Sequence, residues 1–340
     1  LIWSPNKALQ RTRTSCTAEL NVRLLPKEGR HFIVTAQMFT VSEEFSNRIV
    51  ATFGADGEIW LNALPSILED VSLQWSLMLQ SPFEDMSYNY VAPATRSDGK
   101  SVVLKIGVPN PELQTETNAL RIFNGRGAVR LLEADPGLGA LLLERLDPGE
   151  AIVHLSNDEQ ATSVASHVML KLHEASPENG EFPTVADWAK GLDRLRSQFD
   201  GGAGPFPMRL VEFAEASSRE LLSTMDEPKL LHGDLHHWNI LSAQRSPWLA
   251  IDPKGVIGEP AYETGAWLRN PFPELLEWPN PRKVIARRAD QFSMELDFDR
   301  ERILGWGAYQ AVLAAWWSYE DGDRDWEKWI ATAELIVGSK

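Results

Sequence analysis

The chain has one cysteine, Cys16, in 340 residues. A single thiol excludes an internal disulfide framework and fits a reducing cytoplasm. No run approaches the roughly 18 apolar residues that a membrane span needs, and the start carries no secretory pattern. A cytoplasmic protein with no membrane partner is expected. Positive charge is also short. Lys and Arg number 33 against 48 Asp and Glu, a formal net charge of −15. An acidic surface argues against a nucleic-acid partner, which needs a basic patch. It is compatible with a cationic small substrate and with a soluble monomer. A GxxxxGK[ST] motif is missing ahead of the first lysine-bearing strand, so the chain is not a P-loop enzyme. Hydrophobic residues make up 43% of the chain, enough for one large domain or two lobes.

The informative stretch is LLHGDLHHWNIL, Leu230 to Leu241, followed by LAIDPKG, Leu249 to Gly255. An apolar lead-in delivers His232 and Asp234, and Asn239 follows five positions after Asp234. A second strand-like run ends in Asp252. Asp234 is placed as a base for a substrate hydroxyl. Asn239 and Asp252 are hard oxygen ligands, and magnesium accepts two of these with nucleotide phosphates and waters completing its shell. This is the equipment of a phosphoryl transferase. The spacing resembles the catalytic loop of the protein-kinase-like superfamily, and the His-Gly-Asp form points to its small-molecule branch. Gly233 stands where many protein kinases carry an Arg that reads a phosphorylated loop, so no such switch is expected.

The rest of the chain reads in order around that segment. Residues 1–52 show no clear period and are expected to be an extension outside the functional fold, with a short strand over His31–Phe39. Trp60, Leu64, Leu68, Val71 and Trp75 recur at helical spacing, and Pro65 suggests two short helices or one with a bend. Tyr88 to Ile106 reads as a hairpin with Asp98-Gly99 at its turn. Its second strand carries Lys105 among Val, Leu and Ile. Such a lysine reaches solvent by its stem or meets an anion. By the superfamily resemblance, Lys105 takes the nucleotide α- and β-phosphates, covered by Tyr88 and Asn89. A helix from Pro111 to Phe123 offers Glu116 as the acid that holds Lys105, with Glu112 as the rival. Two strands over Val129–Leu132 and Ala140–Leu146 end the small lobe. Adenine is expected against the backbone of Glu144 and Leu146.

Beyond Asp147-Pro148-Gly149 a helical lobe is expected. Ser156 to Glu159 is a capping box opening a helix to about Glu174. Further helices follow over Pro183–Gln198, Pro207–Met225 and Pro281–Ile336, with Leu304 to Trp317 as an aromatic core helix. His167 and His173 are six apart, off a common helical face, and read as structural or surface. Glu263 is expected to pin the catalytic loop through its backbone, with contact to a cationic substrate as the alternative. Glu259 is a second candidate for that contact.

Taken together, YNYVAP, VVLKIGVPN, ALLLERLDPGE, LLHGDLHHWNIL and IDPKGVIGEPAYETGAWLRNP resemble the aminoglycoside/hydroxyurea resistance kinase family. The resemblance runs from about Phe53 to Leu335. It implies an α+β, two-lobed kinase-like fold, with an antiparallel-sheet lobe over residues 53–147 and a helical lobe over 148–340. It also implies ATP and Mg2+, and an aminoglycoside acceptor, streptomycin at its 6-hydroxyl. A kinase for hydroxyurea, choline or a sugar is the alternative within enzymes. A pseudokinase-like binding protein is the alternative outside them.

Overall fold

Alternating burial along three strands dictates the architecture of the smaller part of the molecule. The computed structural model describes residues 41–175 and 181–339. They divide into two compact units, one of residues 41–109 and 132–145, the other of 110–131 and 146–339. The architecture is α+β.

In the smaller unit, helices α1 (Glu43–Phe53) and α2 (Ala55–Trp75) precede a five-stranded sheet. Its strands are β1 (Leu77–Leu79), β2 (Asn89–Arg96), β3 (Ser101–Gly107), β4 (Leu131–Asp135) and β5 (Ala140–Glu144), in the order β1-β2-β3-β5-β4. The β2–β3 hairpin turns at Asp98-Gly99, where Gly99 has φ of 84° and Asp98 Oδ1 accepts from Lys100 N at 3.1 Å. Side chains on a strand alternate between faces. Val102, Leu104 and Ile106 therefore share a face with Tyr90, Ala92 and Leu142, and all six are buried against α1 and α2. Val103 and Lys105 point to the other face, where Lys105 lies between Val91 and Leu141 in register.

One expectation changes here. Residues 1–40, including the strand expected over His31–Phe39, lie outside the described residues. After them the structure departs from the extension reading. Ser42 caps α1 by accepting from Phe45 N, and Phe45 and Ile49 enter the sheet's core. Helix α2 runs through Pro65 as one element.

The larger unit begins with α3 (Pro111–Phe123). The expected lobe boundaries put this helix with the sheet; two of its side chains bond Lys254 of the larger unit. Glu112 forms an ion pair with Lys254, and Thr115 Oγ1 donates to Lys254 O at 2.7 Å. The unit continues with β6 (Pro148–Ala151), α4 (Asp158–Leu172), α5 (Val185–Gln198), α6 (Met208–Ser223) and β7 (Lys229–Leu231). Then come β8 (Ile240–Ala243), β9 (Trp248–Ala250), β10 (Val256–Gly258), α7 (Thr264–Leu268), α8 (Pro281–Leu296), α9 (Arg300–Glu320) and α10 (Trp326–Val337). The cap of α4 is Asn157, accepting from Gln160 N, one residue later than the capping box implied. Helix α9 is buried on nearly every side, and its Trp306, Tyr309 and Trp316 are core.

Candidate active site

The segment from His232 to Asn239 sits between two short antiparallel ladders of the larger unit. Strand β7 pairs with β10, and β8 pairs with β9. Chain leaving β7 passes through His232, Gly233 and Asp234 before reaching Asn239 and β8. Leaving β9, it reaches Ile251 and Asp252. Ile240 faces Ala250 in register, and Ile251 N donates to Asn239 O at 2.9 Å. The hairpin therefore presents Asn239 and Asp252 at the same end. Asp252 adopts a left-handed φ of 58°, turning the chain out of the strand.

The segment is fixed mainly by its backbone. Glu263 is 1% exposed, and its two oxygens accept from His232 N at 2.7 Å and Gly233 N at 2.9 Å. His173 Nε2 lies 3.9 Å from the same carboxylate. His232 Nε2 lies 2.7 Å from Ile251 O. A carbonyl can only accept, so Nε2 carries the proton and Nδ1 accepts from Asp234 N at 3.3 Å. Lys254 N donates back to His232 O at 2.8 Å, joining the segment to the turn after Asp252. Gly233 has φ of 84°, and a Cβ there would lie 2.9 Å from both Trp188 Cη2 and Val256 Cγ1. No other residue type meets both conditions.

Asp234 is 4% exposed. Arg269 Nη2 donates to its Oδ1 at 3.1 Å. Its Oδ2 is buried and accepts no hydrogen bond among the described residues, with His236 Nε2 at 3.6 Å. Burial pushes the carboxyl up to about 6, against the opposing pull of the Arg269 guanidinium. His236 is driven down to about 3, chiefly by burial and then by the Arg269 charge, so it stands neutral beside the carboxylate. Asn239 Nδ2 donates to Asp234 O at 3.0 Å, which leaves Oδ1 as the side-chain atom outside that bond. An ion held by Asn239 and Asp252 fits this chemistry. Both are hard oxygen donors, at one hairpin end, next to a carboxylate oxygen that lacks a donor.

The other residues singled out from the sequence fall as follows. Glu116 lies on α3 and is 7% exposed. Glu112, its rival, is taken by Lys254. Leu146 follows β5 at the start of the larger unit. Lys105 (3% exposed), Asn89 and Glu144 belong to the smaller unit, on β3, β2 and β5. The substrate reading of Glu259 and Glu263 is corrected. Glu259 is 2% exposed, paired with Arg302 and accepting from Trp306 Nε1 at 2.6 Å. The Glu263 oxygens both face the catalytic backbone. Neither carboxylate is presented to a ligand. Arg269, absent from the sequence reading, touches Asp234 directly.

The sequence and the fold place this chain among known proteins. It is 30% identical over 289 residues to streptomycin 6-kinase of Streptomyces glaucescens, covering 85% of this chain and 94% of that one. It is 33% identical over 298 residues to hydroxyurea phosphotransferase of Kitasatospora aureofaciens, covering 84% and 82%. In fold it is similar to choline kinase from Streptococcus pneumoniae, with TM-score 0.58 at 14% identity, covering 82% of this chain and 99% of that one. It is also similar to an aminoglycoside phosphotransferase solved with ADP and hygromycin B, with TM-score 0.57 at 15% identity, covering 81% and 98%. The fold is therefore the kinase-like one. Residues 74–322 match the family model described as aminoglycoside/hydroxyurea antibiotic resistance kinase, and the chain belongs to that family.

Proposed function

We propose that the chain transfers the γ-phosphoryl group of ATP to the 6-hydroxyl of streptomycin, with magnesium. The observation that carries this is Asp234 Oδ2, a buried carboxylate oxygen without a donor, beside the hairpin end that bears Asn239 and Asp252. A buried acceptor of this kind calls for a donor from outside the chain, and an acceptor hydroxyl supplies one. Arg269 holds Oδ1, which aims Oδ2 at the incoming O–H. Asp234 accepts that proton as the oxygen attacks the γ-phosphorus in line, and the bond from that phosphorus to the departing ADP breaks. His236 is neutral and does not compete as a charged partner. Glu263 keeps the segment from shifting, so positioning contributes much of the rate. Asn239 and Asp252 would hold the magnesium ion, which supplies charge neutralisation at the phosphates. Lys105, Glu116, Asn89, Glu144 and Leu146 keep the nucleotide-binding roles assigned from the sequence.

Two relatives at similar identity carry different acceptors in their names, streptomycin and hydroxyurea. Hydroxyurea is therefore the second reading for the acceptor. Both are tested by incubating the protein with ATP, magnesium and each compound and weighing the product. One added phosphate on streptomycin is expected, absent with Asp234→Asn. Phosphate on hydroxyurea alone moves the acceptor to the second reading. A folded protein that modifies neither compound overturns both.

A further inference from the structure

The larger unit contains a cavity of about 710 Å3, a usual size for a small-molecule site. Ile152, Leu155, Pro271, Trp278, Pro279 and Val284 give it apolar walls. Its polar lining is Ser156, Asp158, His237, Asn280, Lys283 and Arg287.

His237 lines the cavity from the catalytic segment, between Asp234 and Asn239, and is 2% exposed. Its ring stacks on Trp267 at 3.7 Å. Arg288 Nη2 lies 3.2 Å from His237 Nε2. A guanidinium only donates, so Nε2 accepts and the ring proton sits on Nδ1. That Nδ1–H is buried and has no acceptor among the described residues. Buried donors are rarely left so. The second feature is the start of α8. Its cap, Asn280, makes no side-chain cap bond, and Asn280, Lys283 and Val284 of this first turn line the cavity. The start of a 16-residue helix favours negative charge. The third is Lys283 itself, which makes no ion pair among the described residues. Asp158, the acid lining the cavity, is already held by Arg287 and Arg288.

We propose that this cavity binds a small organic oxyanion, a carboxylate or phosphate monoester carried on an apolar body. The oxyanion accepts from His237 Nδ1–H at the start of α8, beside Lys283. The apolar body packs on Trp278, whose ring already faces Arg288 at 5.3 Å. A guanidinium-bearing acceptor meets the wrong sign of charge here, so the site is distinct from that of the proposed acceptor. It does not rest on the phosphotransfer reading.

The test is calorimetric titration of the full chain, without nucleotide or metal, using benzoate and phenyl phosphate. One site per chain is expected for at least one of them. Benzoate alone would identify a carboxylate, and phenyl phosphate alone a phosphate monoester. Lys283→Ala, an exposed position, should weaken binding by about tenfold, the loss of one charge-assisted contact. Val284→Trp, which fills the cavity, should abolish it. Histidine 1H–15N correlation on the wild type should show the His237 Nδ1–H resonance move on binding. The proposal is overturned if neither probe binds up to ~10 mM. It is also overturned if affinity is the same in wild type and both variants, or if the His237 resonance stays fixed under saturation.

Discussion

Asp234 sits where burial and an adjacent cation oppose each other. Burial prevails, and the carboxyl stands at about 6. A base works only when ionised, so turnover should rise with pH through about 6 and level off above it. Below that limb, kcat should fall about tenfold per unit of pH. Arg269→Met removes the cation that pulls the carboxyl down, so the limb should move to higher pH. An acid limb unmoved in Arg269→Met would mean that another group governs it. Asp234→Asn should cost about 10²–10⁴-fold in kcat with the melting transition retained. Glu263 acts on stability. Glu263→Ala leaves the buried N–H groups of His232 and Gly233 without acceptors, a loss of about 2–5 kcal/mol in urea unfolding. Glu263→Gln keeps one acceptor oxygen and should lose less. At this scale the sequence made the proposed site's grouping legible. Asp234, Asn239 and Asp252 are close in sequence, and the chemistry of their types is local. Arg269 was not legible. It lies 35 residues from Asp234, and only the fold brings its guanidinium to the carboxylate. Glu112 and Glu116 lie one turn apart on one helix, so periodicity could not choose between them. In the structure Lys254 pairs with Glu112.

Helices α4 and α8 are joined by a clasp at the element scale. Arg288 is fully buried, and its guanidinium donates to Asp158 Oδ2 at 3.0 Å and to the carbonyls of Trp267 and Asn270 at 3.1 and 2.6 Å. Arg287 adds a second cation to Asp158. Removing one partner of a buried pair leaves an uncompensated charge, which is worse than removing both. Asp158→Ala should therefore lower stability by about 3–5 kcal/mol, and the double variant Asp158→Leu/Arg288→Met by less. A double variant weaker than the single would argue against the clasp. Helix α5 lies within the helical stretch expected over Pro183–Gln198, and the structure adds a capping box at Thr184 and Asp187. Helix α1 is hard to see in sequence although Phe45 and Ile49 are four apart behind Ser42. Eleven residues give a short periodic signal, and the helix gains its stability from the sheet it covers. Strand β1 has three residues and is defined by its pairing with Thr95 and its neighbours, which no local pattern reports.

Charge is a property of the whole chain, and it separates the two acceptor readings. The sequence carries a net charge of −15, and streptomycin bears two guanidinium groups. Opposite charges raise the encounter rate, and salt screens that attraction over a Debye length of about 10 Å at 0.1 M. Hydroxyurea is neutral and feels no such field. With nucleotide held at saturation, kcat/KM for streptomycin should fall several-fold, about 3–10, between roughly 20 and 200 mM salt, while kcat changes little. For hydroxyurea the same series should be flat. A flat profile with streptomycin would mean that the acid excess plays no part in drawing the acceptor in. Recognition would then rest on short-range contacts alone, and Lys/Arg against Asp/Glu counts would carry no information on substrate. A slope confined to streptomycin ties the composition of the chain to the sign of its acceptor, through a measurement in which the nucleotide's own charge is held constant.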